Sequence, residues 1–386
     1  MVDATDTDVP AGVAQYTGMR GISAVPSYVI LQPTTLCNLD CAYCYLPARK
    51  FDRRMPVEVA AATAATVNAW AAERDRFSVV WHGGEPLAAG REHLAALMAP
   101  FNGVEHHIQT NATLIDDAWC DFFREHDVHI GLSVDGPEAR TALRVDRAGR
   151  EAYSRIVRGA EALRRHDIPF AALCVVSDPS AELARELYPY FRELGCYALG
   201  INIEEHEGVN DRSNAYAEAA VRGFWAELTA QWRTDRAIEL RDVEFAIRYA
   251  GALLHGDADA ILPRQMDPIP TIAHDGAVTL LSPELAGFSS PHYGDFATGN
   301  VLHQPLDEIV RRAGEAAWIG EYLRGVEACR AVCPYFGFCG GAHAANRYFE
   351  HGRFDGTVTE HCRNSKIHLM EGVLDHAAPQ HRGDGR

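Results

Sequence analysis

The chain has 386 residues, 47% of them hydrophobic, with 53 acidic against 36 basic side chains and a net charge of −17. That length accommodates one large α/β domain with a smaller one beside it, and the acidic balance argues against a nucleic-acid binder, which carries a basic stripe. No apolar run approaches the roughly 18 residues of a membrane span, and the opening MVDATDTDVPAGVAQYTG is acidic without an apolar centre, so the reading is no signal peptide and a cytoplasmic protein.

Six apolar runs of strand length alternate with stretches of helical length. The expected strands are Tyr28–Gln32, Ser78–His82, His106–Gln109, His129–Val134, Phe170–Val176 and Leu199–Ile203. The expected helices are Val57–Arg74, Glu92–Met98, Asp116–Glu125, Tyr153–His166, Ala181–Leu194 and Asn214–Trp232. Such βα alternation implies a parallel sheet with right-handed crossovers, here an open or partial (β/α)6 TIM-like barrel. The continuous apolar character of Tyr28–Leu31 and Ala171–Val176 suits strands covered on both faces.

Ligands of parallel α/β sheets bind at the carboxyl ends of the strands, and the polar motifs recur there. CNLDCAYC follows the first strand and HGGEP the second; QTNAT ends the third, SVDGP the fourth and NIEEHEG the sixth. After about residue 240 the pattern changes to one more helical stretch and then short strands and turns, with a hairpin expected at His274–Gly276. A boundary near 240–265 divides the chain into an N-terminal segment 1–24, a barrel over 25–240 and a second domain over 241–375. The polar tail 376–386 is read as disordered. The segment before the first strand is too short for a leader-binding winged-helix domain of roughly 80 residues.

Seven of the ten cysteines fall in two groups. In a reducing compartment, clustered cysteines bind metal or do chemistry more often than they form disulfides. Cys120, Cys174 and Cys196 stand alone in apolar or helical surroundings and read as packing residues. The first group, Cys37, Cys41 and Cys44, lies within eight residues of a polar loop. A structural zinc site wants four closed ligands, so a distant histidine would have to complete one. An iron–sulfur cubane held by three thiolates leaves one iron open to a substrate.

The C-x3-C-x2-C spacing, with Tyr43 before the last cysteine and GGEP after the second strand, resembles the signature of radical S-adenosylmethionine (SAM) enzymes. The resemblance implies that Cys37, Cys41 and Cys44 hold a [4Fe–4S] cluster and that Gly83, Gly84 and Glu85 bind the amino group of SAM. Asn111, Ser133 and Asp135 would line the SAM pocket, and Tyr43 would lie near the adenine. Read alone, GGEP and the Asp-Gly and Asn segments are also ordinary turns, and Tyr43 a packing aromatic. In that family SAM chelates the open iron, a reduced cluster passes one electron to the sulfonium, and a 5′-deoxyadenosyl radical abstracts an unactivated hydrogen. A flavodoxin- or ferredoxin-type protein would supply the electron.

The second group runs C-x3-C-x5-C from Cys329 through Cys333 to Cys339, then Cys362. Four thiolates suit a closed iron–sulfur or zinc site. Beside the upstream loop, this resembles the SPASM extension, and the four match the ligands of its second auxiliary cluster. No cysteine lies between Cys196 and Cys329, where ligands of the first would be expected, and His343 takes a position often held by cysteine. One auxiliary [4Fe–4S] cluster is expected, either an electron acceptor or a structural element.

Longer phrases narrow the resemblance. VVWHGGEPL, QTNATLIDDAWCDFF, INIEEHEGVN, LSPELAGFSSPHYGDFATGNV and FGFCGGAHAANRYFEHGRFDGT look like the cyclophane-forming maturases of ribosomal peptides, the GrrM/OscB type. That implies a precursor peptide as substrate and a carbon–carbon crosslink from a β-carbon to an aromatic ring. Glu204, Glu205, Glu207, Glu284 and Asp295 are candidates for the base that takes the released proton. The rival readings are a sulfatase-maturase-like oxidation, a thioether, an epimerisation or another β-carbon modification. From a different class, a zinc-stabilised scaffold remains.

Overall fold

The computed structural model describes residues 21–257 and 265–375. The expected tail 376–386, and all but the last four residues of the N-terminal segment, lie outside the described residues.

Six βα units follow one another: β1 (Tyr28–Leu31), α1 (Val57–Ala72), β2 (Ser78–Trp81), α2 (Arg91–Met98), β3 (Glu105–Thr110) and α3 (Asp117–Glu125). They continue through β4 (Val128–Ser133), α4 (Tyr153–Arg165), β5 (Phe170–Val176), α5 (Ala181–Leu194), β6 (Ala198–Ile203) and α6 (Glu218–Asp235). Local chemistry sets the ends. Asp116 caps α3 by accepting from Trp119 N at 2.8 Å, and Ser180 caps α5 by accepting from Leu183 N at 3.1 Å, each satisfying an orphan amide of the first turn. α6 begins four residues later than the sequence pattern suggests. The Asn214 carbonyl instead accepts from Asn364 Nδ2 at 2.8 Å, which draws that stretch out of the helix.

The six strands are parallel and lie side by side in chain order. Their side chains alternate into a core that includes Val29, Leu31, Val79, Trp81, Ile108, Leu132 and Leu199, all essentially inaccessible. The sheet does not close. β7 (Glu239–Leu240) adds beyond β6, and α7 (Arg241–His255) follows it.

The segment after residue 265 joins the same sheet at the other side. β8 (Thr271–Ile272) pairs parallel with β1, with Ile30 opposite Thr271. β9 (Ala277–Thr279) returns antiparallel beside β8 through the hairpin expected at His274–Gly276, where Ala273 N donates to Ala277 O at 2.8 Å. A small pair, β10 (Ser289–Ser290) and β11 (Gly294–Asp295), precedes β12 (Gly299–Asn300), which lies beside β9. The ten-stranded sheet therefore runs through the division expected near 240–265.

The rest is helical: α8 (Leu306–Arg311), α9 (Ala317–Val332), α10 (Phe336–Cys339), α11 (Ala344–His351), α12 (Glu360–Cys362) and α13 (His368–Asp375). Phe296, Trp318, Tyr348 and Phe354 form an aromatic knot under these helices, with Phe354 5.1 Å from Trp318 and 5.2 Å from Tyr348 between ring centroids. Among the described residues no helix is long and apolar enough to cross a membrane.

Candidate functional site

The loop after β1 carries the first three cysteines at the carboxyl end of the sheet. It is tied down at several points. Cys37 N donates to Arg49 O at 2.8 Å, Asp40 N to Val145 O at 2.7 Å and Ala42 N to Leu143 O at 3.0 Å. Arg49 closes the loop on itself through Asp40 at 2.8 Å. The three sulfurs share one neighbourhood. Burial pushes the Cys37 thiol far up, and the charges of Glu85, Cys41 and Cys44 add to it. Burial likewise pushes Cys41 up to about 11, against the pull of Arg144. Thiols that hinder one another's ionisation favour a cation that binds all of them as thiolates. Two donors already face Cys37 Sγ: Leu39 N at 3.4 Å and Asn111 Nδ2 at 3.8 Å. This donor set fits an iron–sulfur cluster.

GGEP lies directly against this loop. Gly84 has φ +63°, and a Cβ there would meet the carbonyl oxygens of Leu36, Thr34 and Thr35 at 2.6, 2.7 and 2.8 Å. Only glycine allows that approach. Gly83 packs on the Gln32 side chain. Glu85 N donates to Leu36 O at 2.8 Å. The buried Glu85 carboxylate accepts from Leu87 N at 3.0 Å, Thr110 Oγ1 at 2.7 Å and Asn111 N at 2.8 Å. It clamps the second strand end to the third. Asn111 extends the clamp, donating to Asn38 Oδ1 at 2.9 Å, and Asn38 reaches Thr113 Oγ1 at 2.7 Å. Ser133 accepts from Gln109 Nε2 at 2.8 Å across β3 and β4.

Asp135 and Tyr43 come together. The Tyr43 hydroxyl donates to Asp135 Oδ2 at 2.5 Å. Arg144 grips the same carboxylate with Nε at 3.0 Å and Nη2 at 2.8 Å, and Val175 N adds a fourth bond at 3.0 Å. The guanidinium also lies 5.5 Å over the Tyr43 ring. Glu85 and Asp135 thus engage protein donors with both carboxylate oxygens. In this arrangement they shape the site, and contacts to a cofactor fall to backbone groups and neighbours.

The second cysteine group is also assembled. Cys362 donates to Cys339, which holds Cys339 down to about 5 and, with burial, drives Cys362 up; the charges of Cys333 and Cys329 bear on Cys362 too. Cys329 Sγ contacts Thr357 O at 3.1 Å and Arg347 Nη2 at 3.3 Å. Arg347 is wholly buried. Its other bonds go to the carbonyls of Phe354 and Gly341, at 3.2 and 2.7 Å, and it stacks 5.1 Å over Tyr322. No carboxylate among the described residues pairs with it. A buried cation without a counter-ion is costly, so this pocket calls for negative charge at sulfur, as a cysteinate-bound cluster supplies.

Between the two groups lies a cleft of about 200 Å³ past the end of β6. Glu205, Glu207, Glu284, His343, Asn346 and His361 are among its walls. The Tyr45 hydroxyl, next to Cys44, feels the charges of Glu284 and Glu207, and Lys366 acts on both Cys339 and His343. Of the proposed bases, Glu205, Glu207 and Glu284 reach this cleft. Glu204 is buried against Arg212 at 2.7 Å, and Asp295 stands at a separate depression. Cys120, Cys174 and Cys196 are buried in packing.

Arg144, Arg347, Asn346 and His361 were not legible as site residues. The faint signal for Arg347 is a single charge in AANRYF, an otherwise apolar helical turn.

Residues 31–204 match the family model of the radical SAM superfamily. The chain is 33% identical over 363 residues, 90% of each sequence, to an uncharacterized protein of Synechocystis. It is 36% identical over 227 residues, 55% of each, to a serine-type anaerobic sulfatase-maturating enzyme of Klebsiella aerogenes, and so spans about half the length of that relative. Among solved structures, anSMEcpe with bound AdoMet and the Cp18Cys peptide superposes with a TM-score of 0.70 at 23% identity, over 90% of this chain and 97% of that one. SuiB of Streptococcus suis bound to precursor peptide SuiA gives 0.56 at 16%, over 75% and 65%. At such identities the structural likeness speaks for the fold alone.

Proposed function

The chain belongs to the radical SAM superfamily, and from that premise we propose that it matures a ribosomally synthesised peptide by joining a β-carbon to an aromatic ring, a cyclophane-type crosslink. The supporting observation is one polar cleft walled by Glu207 and Glu284, whose charges reach Tyr45 beside Cys44, and by His361, beside Cys362. In this reading the boundaries remain those of a barrel over 25–240 and an auxiliary-cluster domain over 241–375.

Cys37, Cys41 and Cys44 would hold a [4Fe–4S] cluster that, with SAM bound, would supply a 5′-deoxyadenosyl radical for hydrogen abstraction, and Cys329, Cys333, Cys339 and Cys362 would hold a second cluster able to accept one electron. The polypeptide does the rest. GGEP and the Asn111 clamp hold the loop against the strand ends. The Asp135–Arg144 pair fixes Tyr43 beneath it. Glu205, Glu207 or Glu284 would take the ring proton. Ring closure removes one electron and one proton after the abstracted hydrogen, so the peptide loses two hydrogens in all. A flavodoxin- or ferredoxin-type donor restores the electron used on SAM.

A second reading is favoured by the sulfatase-maturating relatives: oxidation of a cysteine or serine in a protein substrate to an aldehyde. The two readings part at the product.

The test has two stages. Anaerobically reconstituted protein should hold about eight irons and matching sulfide, and a Cys37/Cys41/Cys44→Ala variant about four. One or two zincs with little iron would sink the radical reading altogether. Co-expression with a short aromatic-containing precursor peptide should then give a loss of two hydrogens and no fragment ions between the linked residues. An aldehyde at cysteine or serine, without a ring, would replace the first reading by the second.

A further inference from the structure

The cleft between the cysteine groups is oversupplied with acceptors. Asn346 is wholly buried, and its Nδ2 points to Glu205 at 2.5 Å and Glu207 at 3.5 Å. Its Oδ1 has no partner, and neither has Glu284 Oε2. His361, also buried, stands 3.1 Å through Nδ1 from Glu205 Oε2, without hydrogen-bond alignment, and its Nε2 is unpartnered. Three carboxylates converge from two parts of the chain, the loop after β6 and the turn after β9.

These acids oppose one another. Burial raises Glu207, and the charges of Glu205, Glu284 and Glu350 raise it further. Burial and the Glu205 charge bring Glu284 to about 7. Lys366, also at the wall, makes no salt bridge with these acids among the described residues. Arg241 also lines the cleft, but its ion pair is with Asp242 at 3.7 Å, and that of His361 is with Glu205; Glu207, Glu284 and Asn346 Oδ1 are left for a cation with several donors and no acceptor. An ammonium has three donors and a guanidinium five, neither with an acceptor, and bonds from either to a carboxylate are charge-assisted.

We propose that this cleft binds a lysine or arginine side chain of the peptide substrate, with its charged head among Glu205, Glu207 and Glu284 and against Asn346 Oδ1. The proposal rests on the reading of the cleft as the place where the peptide reacts. It adds that the residue held between the two cysteine groups is basic. Room and polarity agree: the cleft has the scale of one long side chain, and its unpartnered buried atoms are met by donors rather than by another acid.

The probes are four blocked amino acids: the N-acetyl methylamides of lysine, arginine, norleucine and glutamate. Each is titrated calorimetrically into reconstituted protein at neutral pH. The lysine or arginine amide should bind at least about tenfold more tightly than the norleucine amide, and the glutamate amide should not bind. Glu284→Gln and Glu207→Gln, on different segments, should each weaken the basic probe about five- to tenfold while leaving the norleucine value unchanged. If one variant does not fold, the other decides. Equal binding of lysine and norleucine amides, preference for the glutamate amide, or insensitivity to both substitutions would overturn the proposal. Iron and sulfide are counted in the same samples. Unselective binding with full clusters rejects the basic-side-chain assignment alone, whereas missing iron rejects the function on which it rests.

Discussion

Arg347 Nη2 lies 3.3 Å from Cys329 Sγ, and no other anionic partner among the described residues faces that buried guanidinium. The pairing makes Arg347 a fixed positive charge at the edge of the second cysteine group. Positive charge beside a cluster favours its reduced, more negative state.

Arg347→Gln should therefore lower the midpoint potential of the auxiliary cluster by about 60 mV, a tenfold change in a one-electron equilibrium. Arg347→Lys should retain most of the native value. The measurement is potentiometry followed by electron paramagnetic resonance, in a Cys37/Cys41/Cys44→Ala background that removes the other cluster's signal. Equal potentials in all three proteins would show that the guanidinium serves packing only.

Gly84→Ala should damage the first cysteine loop selectively. The left-handed backbone alone costs a side chain about 1–2 kcal/mol, and the new Cβ would overlap three carbonyl oxygens between Thr34 and Leu36. Iron and sulfide should fall toward the content of the auxiliary site alone. Gly103→Ala is the control, because it shares a positive φ but has open space around it. Its iron should stay at the parent level.

Asp135→Ala leaves Arg144 as an uncompensated buried charge and should destabilise the protein by about 3–5 kcal/mol. Asp135→Leu combined with Arg144→Met should cost markedly less than the sum of its single changes, because the two groups neutralise each other. Urea denaturation of the four proteins gives the coupling directly. A strictly additive pair would remove the ion pair from the account of how Tyr43 is held.

Binding of the lysine probe should strengthen as the pH rises from about 6 to 8. Glu284 is held near 7, so below that value it is protonated and offers no charge to an ammonium. Above it the carboxylate is ionised while the ammonium is still charged. Glu205 and Glu207 face Glu284 from the loop after β6, with His343 and His361 from the C-terminal helices and Tyr45 from the cysteine loop. In Glu284→Gln the calorimetric profile should flatten between these limits. A profile that keeps its full slope in that variant would move the titration to another of these groups.

The six parallel strands could be placed from sequence to within about a residue, because short strand-length segments, most of them apolar, alternate with helical ones. β8 could not. Two residues, Thr271 and Ile272, carry no periodicity, and their place beside β1 is set by long-range pairing. The cysteines announced themselves through spacing. Glu85 and Asp135 were found for their motifs, yet their carboxylates prove to be occupied by Thr110, Asn111, Tyr43, Arg144 and Val175. Arg347 and Asn346 gain their meaning from partners at Cys329 and Glu205, 18 and 141 positions away, and no local pattern records such a distance.

The pairing of β8 with β1 also bears on how this chain can be cut or recombined. β1 is the strand that launches the cysteine loop, and β8 covers its otherwise free edge. A fragment ending at residue 257 would leave that edge bare, a row of unpaired amides and carbonyls that invites self-association. The C-terminal third is therefore not a detachable cassette. Grafting it onto another barrel would require a matching edge strand, and trimming it away would expose the very strand from which the three-cysteine loop springs.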